Sequence, residues 1–380
     1  MTPWLLISGD FTRHGGMDRA NLALADHLAA DPDVELHLVA HRVDTEMLGP
    51  SHVQIHRVSR PGGSHVLGGP LLARSGRHHA GRIAREGGRV IVNGGNCVWG
   101  DVSWVHYVHA AYEPETRTSV TRRLKDRLGR RLNLRHERQT LGAVRLAICN
   151  SRRTQRDLVD RLGVPEARTR VIYYGIDADC FAQVGPDAAR AARAALGWPS
   201  DRPQVLFVGA LGDRRKGFDT LFDAWVTLCQ DTRWDGHLVV VGAGAERPVW
   251  QRRLEQAELG SRATFLGCRT DVARIIAASD VMVHPARYEA YGLGVHEALC
   301  RGVPAMVSAD AGVAERYPAQ LDDLLLRNPD SADELAERLR AWRARRGAIR
   351  REMRSFAAAL RGRGWPQMAA DIVAAVRDCA

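Results

Sequence analysis

The apolar positions of this chain fall into short runs rather than helical stripes. In the first half they are WLLIS (4–8), VELHLVA (34–40), VQIHRV (53–58), RVIVN (89–93), DVSWVHYV (101–108), VRLAICN (144–150) and RVIYYG (170–175). In the second half they are QVLFVG (204–209), HLVVVG (237–242), ATFLG (263–267), VMVHP (281–285), PAMVS (304–308) and DLLLR (323–327). Near-continuous apolar runs of this length predict strands buried on both faces, as in parallel sheets. Helix-like segments lie between them, and that alternation predicts doubly wound α/β units. DADCFAQVGPDAAR (177–190), with Gly and Pro at its centre, reads as an interdomain linker. The expected domains are therefore residues 1–178 and 188–360. RGWPQMAADIVAAV then predicts one last amphipathic helix over 364–378.

Six or seven strands on each side of the linker predict two Rossmann-like domains facing each other. A length of 380 residues suits two domains, and 45% hydrophobic content supplies their cores. The opening MTPWLLISGD lacks the basic start and long apolar core of a signal peptide. No later stretch approaches the ~18 apolar residues of a membrane span. Seven scattered cysteines without a C-x-x-C pair predict reduced thiols in the cytosol, with no zinc site or disulfide framework. The expected location is cytoplasmic. Net charge is +10, concentrated in two segments, Arg117–Arg138 and Arg338–Arg354, each of net charge +7. Two basic faces need explaining, not a basic protein.

Strand QVLFVG runs into ALGDRRKGFDTLFDAW, which places Arg214, Arg215 and Lys216 at a strand's carboxyl end beside a helix N-terminus. Open α/β sheets bind ligands there, and helix N-termini favour anions. A solvated basic turn is the plainer reading of the same residues. HLVVVG followed by AGAERP superficially resembles a dinucleotide fingerprint, but it lacks the third glycine and Pro248 follows at once. In RYEAYGLGVHEALCRGVP (287–304), Glu289 precedes a glycine turn and Glu297 lies about one turn into the helix that follows. Gly292 and Gly294 would permit close approach of backbone to ligand. A carboxylate accepts two hydroxyl donors at once, which suits vicinal sugar hydroxyls. Alone, the pair reads better as a loop acid and a helix-surface acid.

Taken together these segments resemble a known family. VMVHPARYEAYGLGVHEALCRGVPAMVSADAG is similar to the E-x7-E segment of retaining glycosyltransferases with the GT-B fold, specifically family 4 (glycosyl transferases group 1). VGALGDRRKGFDTL resembles that family's phosphate-binding strand and turn, FLGCRTDV the segment before the acidic motif, and AICNSRRTQRDL the interdomain-side strand. SGDFTRHGGMDRANLALADHLA resembles its glycine loop, and the Trp365 helix its crossover back to the first domain. The resemblance spans nearly the whole chain, strongest from Gly209 to Gly312. It implies an acceptor-binding first domain, a nucleotide-sugar-binding second domain and a crossover helix.

The resemblance assigns roles residue by residue. Glu289 would hold sugar hydroxyls and Glu297 the nucleotide ribose, with the backbone N–H groups of Ala290, Tyr291 and Gly292 near sugar and phosphate. Lys216 would neutralise the diphosphate leaving group, and Gly16 would let the first domain close onto it. The family's arginine after the glycine corresponding to Gly209 is here Ala210, and Arg215, then Arg214, is expected to replace it. Tyr174 stands where many members have Asn. In WVHYVHAA, His106 is expected to face the transferred sugar, with His109 the alternative.

The implied activity is retaining transfer, of a hexosyl group, from a nucleotide diphosphate sugar to a saccharide or lipid-linked acceptor hydroxyl. The expected setting is bacterial surface polysaccharide or glycolipid assembly. No D-x-D pair sits at a strand end, so neither a metal nor another cofactor is expected. Val120, Leu124, Leu128 and Leu132 recur every four residues among arginines, a basic amphipathic helix suited to peripheral contact with anionic lipid at the inner face of the membrane. The rival readings are a nucleic-acid-binding protein using 117–138, and an NAD-dependent oxidoreductase. The segment has neither a nucleic-acid module nor interleaved aromatics, so no nucleic-acid partner is expected.

Overall fold

The computed structural model describes residues 1–13, 15–47, 53–114, 120–212 and 214–379, with residue 65 and residues 120–128 described by backbone alone. Every apolar run named above contains a strand. The chain forms two compact units, one holding most of the chain up to Gly175 and again from Arg363, the other Ile176–Gly362.

The first unit's sheet comprises β1 (Thr2–Ile7), β2 (Val34–Ala40), β3 (Val53–Arg57), β4 (Arg89–Asn93), β5 (Val102–Val105), β6 (Leu146–Cys149) and β7 (Thr169–Val171). They lie in the order β3-β2-β1-β4-β5-β6-β7, all parallel. Its helices are α1 (Gly16–Ala29), α2 (His65–Arg85), α3 (Val120–Ala143) and α4 (Arg152–Leu162). Two-residue strands, Asp10–Phe11 and Arg42–Val43, form a separate parallel ladder that was too short to show as an apolar run. Salt bridges from Arg42 and Arg60 to the Asp10 carboxylate hold it in place.

The second unit opens with α5 (Pro186–Leu196). Its sheet is β8 (Gln204–Val208), β9 (His237–Val241), β10 (Ala263–Gly267), β11 (Val281–His284), β12 (Ala305–Ser308) and β13 (Leu325–Leu326). The order is β10-β9-β8-β11-β12-β13, again all parallel. The remaining helices are α6 (Phe218–Cys229), α7 (Arg247–Gln256), α8 (Val272–Ala278), α9 (Leu293–Cys300) and α10 (Ala332–Arg361). Central strands bury side chains on both faces: Val205, Leu206 and Phe207 are all fully enclosed. This is why their sequence shows no alternation.

Residues 177–190, expected as a linker, belong to the second unit instead. Phe181 is buried in that unit's core, and Val184 N–H donates to the Arg301 carbonyl at 3.0 Å. Pro186 fills the first turn of α5, where its missing N–H costs nothing. The Gly-Pro pair thus marks a helix start rather than a flexible join.

After α10 the chain returns to the first unit, where α11 (Trp365–Asp378) packs on α1. Arg363 donates to the Tyr173 carbonyl at 3.0 Å, and Arg19 lies over the Trp365 ring at 5.7 Å. Of the basic segment 117–138, residues 117–119 and the side chains up to 128 lie outside the described residues. Leu132 is exposed, whereas Glu137 is buried. No helix among the described residues is long and apolar enough to cross a membrane.

Candidate functional site

The strand order of the second sheet reverses between β8 and β11, because β9 and β10 lie on one side of β8 and β12 and β13 lie beyond β11. Chain leaving the carboxyl ends of two strands at such a point diverges and leaves a crevice, the usual ligand position in open α/β sheets. The loop after β8 carries Lys216 and the loop after β11 carries Glu289. Arg214–Lys216 form a short 3-10 turn, and Gly217 at φ 69° leads into α6. A Cβ at Gly217 would lie 1.9 Å from the Pro285 carbonyl oxygen, so the two loops touch backbone to backbone.

Across that contact the Lys216 ammonium reaches Oε2 of Glu289. His284, the last residue of β11, meets the same oxygen through Nε2 at 2.8 Å. Burial alone would raise the pKa of Glu289. The Lys216 ammonium, the His284 hydrogen bond and the charge of Arg215 outweigh it and hold the carboxyl well below the usual range. Burial, then the Lys216 charge, pushes His284 below the usual imidazole range. The imidazole is therefore neutral, and it donates Nε2–H to an ionised carboxylate.

The three basic residues of the turn divide. Arg214 bonds Asp219 in the first turn of α6 at 2.6 Å. The charge of Arg215 falls on Glu289 and His284. Of the two arginines expected to stand in for the cation missing at the exposed Ala210, Arg215 is thus the one whose charge acts at Glu289. Arg287 was not singled out in the sequence; it forks onto Asp219 at 2.8 and 3.0 Å and reaches Asp330 at 2.7 Å.

Both acids are buried rather than surface charges, since the Glu289 side chain is 13% exposed and Glu297 8%. Glu297 lies one turn into α9. Between the acids, the carbonyls of Glu289 and Tyr291 accept from the N–H groups of Gly312 (3.1 Å) and Val313 (2.7 Å), which fixes the peptide planes of residues 289–292. The Tyr291 ring is buried and its hydroxyl meets His296 Nδ1 at 2.8 Å. Tyr291 could therefore meet a ligand only through its backbone. Gly292 has φ 105°, a conformation that favours glycine, whereas Gly294 sits within α9 and meets no close neighbour. Of the two glycines, it is Gly292 whose backbone conformation requires glycine.

The other expected residues lie in the first unit. His106 follows β5 and is buried, its ring centroid 4.4 Å from that of Trp104. Its Nδ1 meets the Tyr174 hydroxyl, which Asn150 also contacts at 3.1 Å, while its Nε2 is buried without a partner. Burial pushes its pKa down to about 3, so the ring is neutral. His109 is exposed, and its backbone N–H, with that of Ala110, donates to the buried Glu137 carboxylate at 2.7 and 3.0 Å. Gly16 opens α1, but the backbone demand falls one residue earlier, on Gly15 at φ 87°.

Sequence reasoning missed His284, Arg287 with Asp219, and Asn150. His284 and Arg287 lie inside the quoted motif; the partner of His284 is five residues on, but those of Arg287 lie 43 to 73 residues away in sequence. Only the fold pairs them.

Residues 14–179 match the family model described as Glycosyltransferase Family 4, and residues 189–359 match the one described as Glycosyl transferases group 1. The chain is 31% identical over 281 residues to a D-inositol 3-phosphate glycosyltransferase of Xylanimonas cellulosilytica, covering 71% of this chain and 65% of that protein. It is 29% identical over 296 residues to the protein of that name from Geodermatophilus obscurus, covering 73% and 63%. The chain spans a little under two thirds of the length of these two relatives. Among solved structures it resembles WaaG, a glycosyltransferase involved in lipopolysaccharide biosynthesis. There the TM-score is 0.77 and identity 22%, over 98% of this chain and 99% of that one. It also resembles Anabaena HepE in complex with UDP and glucose, with TM-score 0.70 and 19% identity over 99% of each chain.

Proposed function

We propose that this chain, which carries a family 4 and a group 1 glycosyltransferase domain on the GT-B fold, is a retaining glycosyltransferase moving a hexosyl group from a nucleotide diphosphate sugar to an acceptor hydroxyl. The observation that carries this reading is the ionised Glu289, gripped by Lys216 and His284 where the sheet order reverses. An ionised carboxylate with a free oxygen accepts two hydroxyl donors from one sugar. The ammonium beside it suits the diphosphate leaving group, and Arg215 adds a second positive charge. Each such donor is worth ~2.7–4 kcal/mol when preorganised toward charge that grows in the transition state.

In this reading Glu297 takes the ribose, and backbone N–H groups at Ala290, Tyr291 and Gly292 lie along the sugar and phosphates. By the family resemblance, His106 and Gly16 of the first unit are proposed to serve the transferred sugar and the glycine loop. No side-chain nucleophile is required if the acceptor attacks the face the diphosphate leaves and a leaving-group oxygen takes its proton. Neither a metal nor another cofactor is needed, because the cations are side chains. The UDP in the HepE structure supports a uridine donor. The relatives named for D-inositol 3-phosphate and the lipopolysaccharide role of WaaG support a polyol, saccharide or glycolipid acceptor in a bacterial surface pathway. Contact of the basic segment 117–138 with anionic lipid would bring the enzyme to a lipid-linked acceptor at the inner membrane face.

A thermal-shift screen of UDP, GDP, ADP and their sugars, with chelator present, tests the donor side. The matching diphosphate should stabilise the fold by about 2.7 kcal/mol at 100-fold its dissociation constant. Products formed with D-inositol 3-phosphate and with oligosaccharide acceptors would then be examined by NMR for retained anomeric configuration. A chain that no nucleotide stabilises would sink the reading.

A further inference from the structure

Arg287 spends every hydrogen-bond donor it has inside the protein. Nη1 donates to Asp219 Oδ1 at 2.8 Å and to the Arg214 carbonyl at 2.5 Å. Nη2 donates to Asp219 Oδ2 at 3.0 Å and Thr220 Oγ1 at 3.3 Å, and Nε to Asp330 Oδ1 at 2.7 Å. Its own backbone N–H donates to the Arg215 carbonyl at 2.9 Å. Two successive carbonyls of the 214–216 turn are therefore held by one residue. That residue sits two positions before Glu289, the carboxylate the turn's lysine touches. The guanidinium is 11% exposed, and with all five N–H groups engaged none is left for a ligand.

We infer that Arg287 is a positioning residue: it fixes the 214–216 turn against the loop after β11 and so sets where Lys216 and Arg215 present their charge to a donor diphosphate. The geometry excludes two simpler roles. A surface ion pair would need neither the fork on Asp219 nor the bonds to two main-chain carbonyls, and a phosphate ligand would keep a donor free. Asp219 binds Arg287 and Arg214 together, so it ties the first turn of α6 to both loops. The bare contact between Gly217 and Pro285 shows why a brace is required there. The loops meet there backbone to backbone, with the Pro285 carbonyl where a Cβ on Gly217 would lie. A lysine cannot replace this arginine, because a single ammonium cannot fork onto a carboxylate and reach two further acceptors in one plane.

This inference rests on the reading of the site as a diphosphate cradle, and the test separates the two. R287K, D330N and K216A are compared with the unaltered chain by calorimetry against UDP, GDP and ADP and against the matching nucleosides. R287K should weaken the diphosphate by about tenfold or more, roughly one charge-assisted contact, and leave the nucleoside affinity unchanged. D330N removes the charge of the Nε partner and leaves an amide oxygen that can still accept, on an aspartate that is 58% exposed and 4.0 Å from Arg214, and should weaken the diphosphate several-fold. It decides the matter if R287K fails to fold. Equal losses for nucleoside and diphosphate, or diphosphate affinity unchanged in R287K and D330N, would overturn the positioning role. If K216A also binds the diphosphate normally, or no probe binds the unaltered chain, the reading of the cradle fails and this inference with it. If K216A weakens binding and the other two do not, only the role of Arg287 falls.

Discussion

Lys216 and Glu289, from loops that follow neighbouring strands, meet ammonium to carboxylate with side chains only 16% and 13% exposed. Charges so enclosed are stable as a pair and costly singly. K216A would leave the Glu289 carboxylate buried with His284 as its main partner and should cost about 3–5 kcal/mol of stability. Adding E289Q to K216A should return part of that, because the stranded charge is gone. Transfer should fall by well over tenfold in K216A and in E289Q alike, if each acts on charge or hydroxyls in the transition state. Near-normal turnover by either purified variant on the true donor and acceptor would remove both from the site.

His284 should matter through Glu289 rather than through its own titration. Its pKa and that of Glu289 both lie below their usual ranges, so neither group changes charge between about pH 7 and 9. The rate of transfer should therefore be flat across that window. A hydrogen bond to a charged group is worth about 1.5–3 kcal/mol, so H284F should lower kcat/KM by roughly tenfold or more. H284Q, which keeps an N–H donor, should recover part of the loss. A sloping wild-type profile that H284F flattens would show that the imidazole itself exchanges a proton in the reaction.

What the sequence made legible follows from burial. Runs such as HLVVVG in β9 are apolar because both faces of the sheet are covered, so strand positions and their parallel pairing could be read directly, though not their order. Phe181 shows the limit. Gly185 and Pro186 look like a join in one dimension, but the aromatic before them is packed in the second unit's core. The acids of the site were legible by spacing, not by state, since nothing in RYEAYG shows that Glu289 is enclosed and paired. Arg287 stayed unread because a buried arginine and a surface arginine are the same letter. Only Asp219 and Asp330, distant in sequence, distinguish them. The shift from Gly16 to Gly15 is a matter of backbone angle, which an HGG triplet does not specify.

Gly217 should tolerate no side chain. Its φ of 69° is left-handed, and a Cβ would fall 1.9 Å from the Pro285 oxygen. The conformation alone costs a non-glycine residue about 1–3 kcal/mol, and the overlap forces the two loops apart as well. G217A should lower Tm and weaken binding of the nucleoside diphosphate together, because the displaced loop carries Lys216. G294A, inside α9 with open space around it, serves as the control and should leave Tm unchanged or slightly raised. Equal behaviour of the two variants in a thermal melt would mean that the loop contact is looser than the structure has it.

The first unit should be acid-labile for a reason unrelated to the site. His37 on β2, His56 on β3 and His79 on α2 stack in sequence, with ring centroids 5.4 and 3.7 Å apart, and His78 meets His79 edge-on. Arg82 lies 3.3 Å from His37, and the acids nearby are Glu35, 3.4 Å from His37, and Glu86, paired with Arg82. Burial first, and then neighbouring positive charge, lowers the pKa of His56 to about 4; burial also lowers His37 and His79. The unfolded chain, with imidazoles near ~6.5, then binds more protons than the folded one as pH falls. Stability is accordingly full above about pH 6.5 and is lost as pH drops toward 4. H56F, which keeps a ring in the stack and removes its proton site, should shrink the fall in Tm between pH 7 and pH 4.5. A fall of the same size in H56F and the unaltered chain would mean that other groups govern the acid transition.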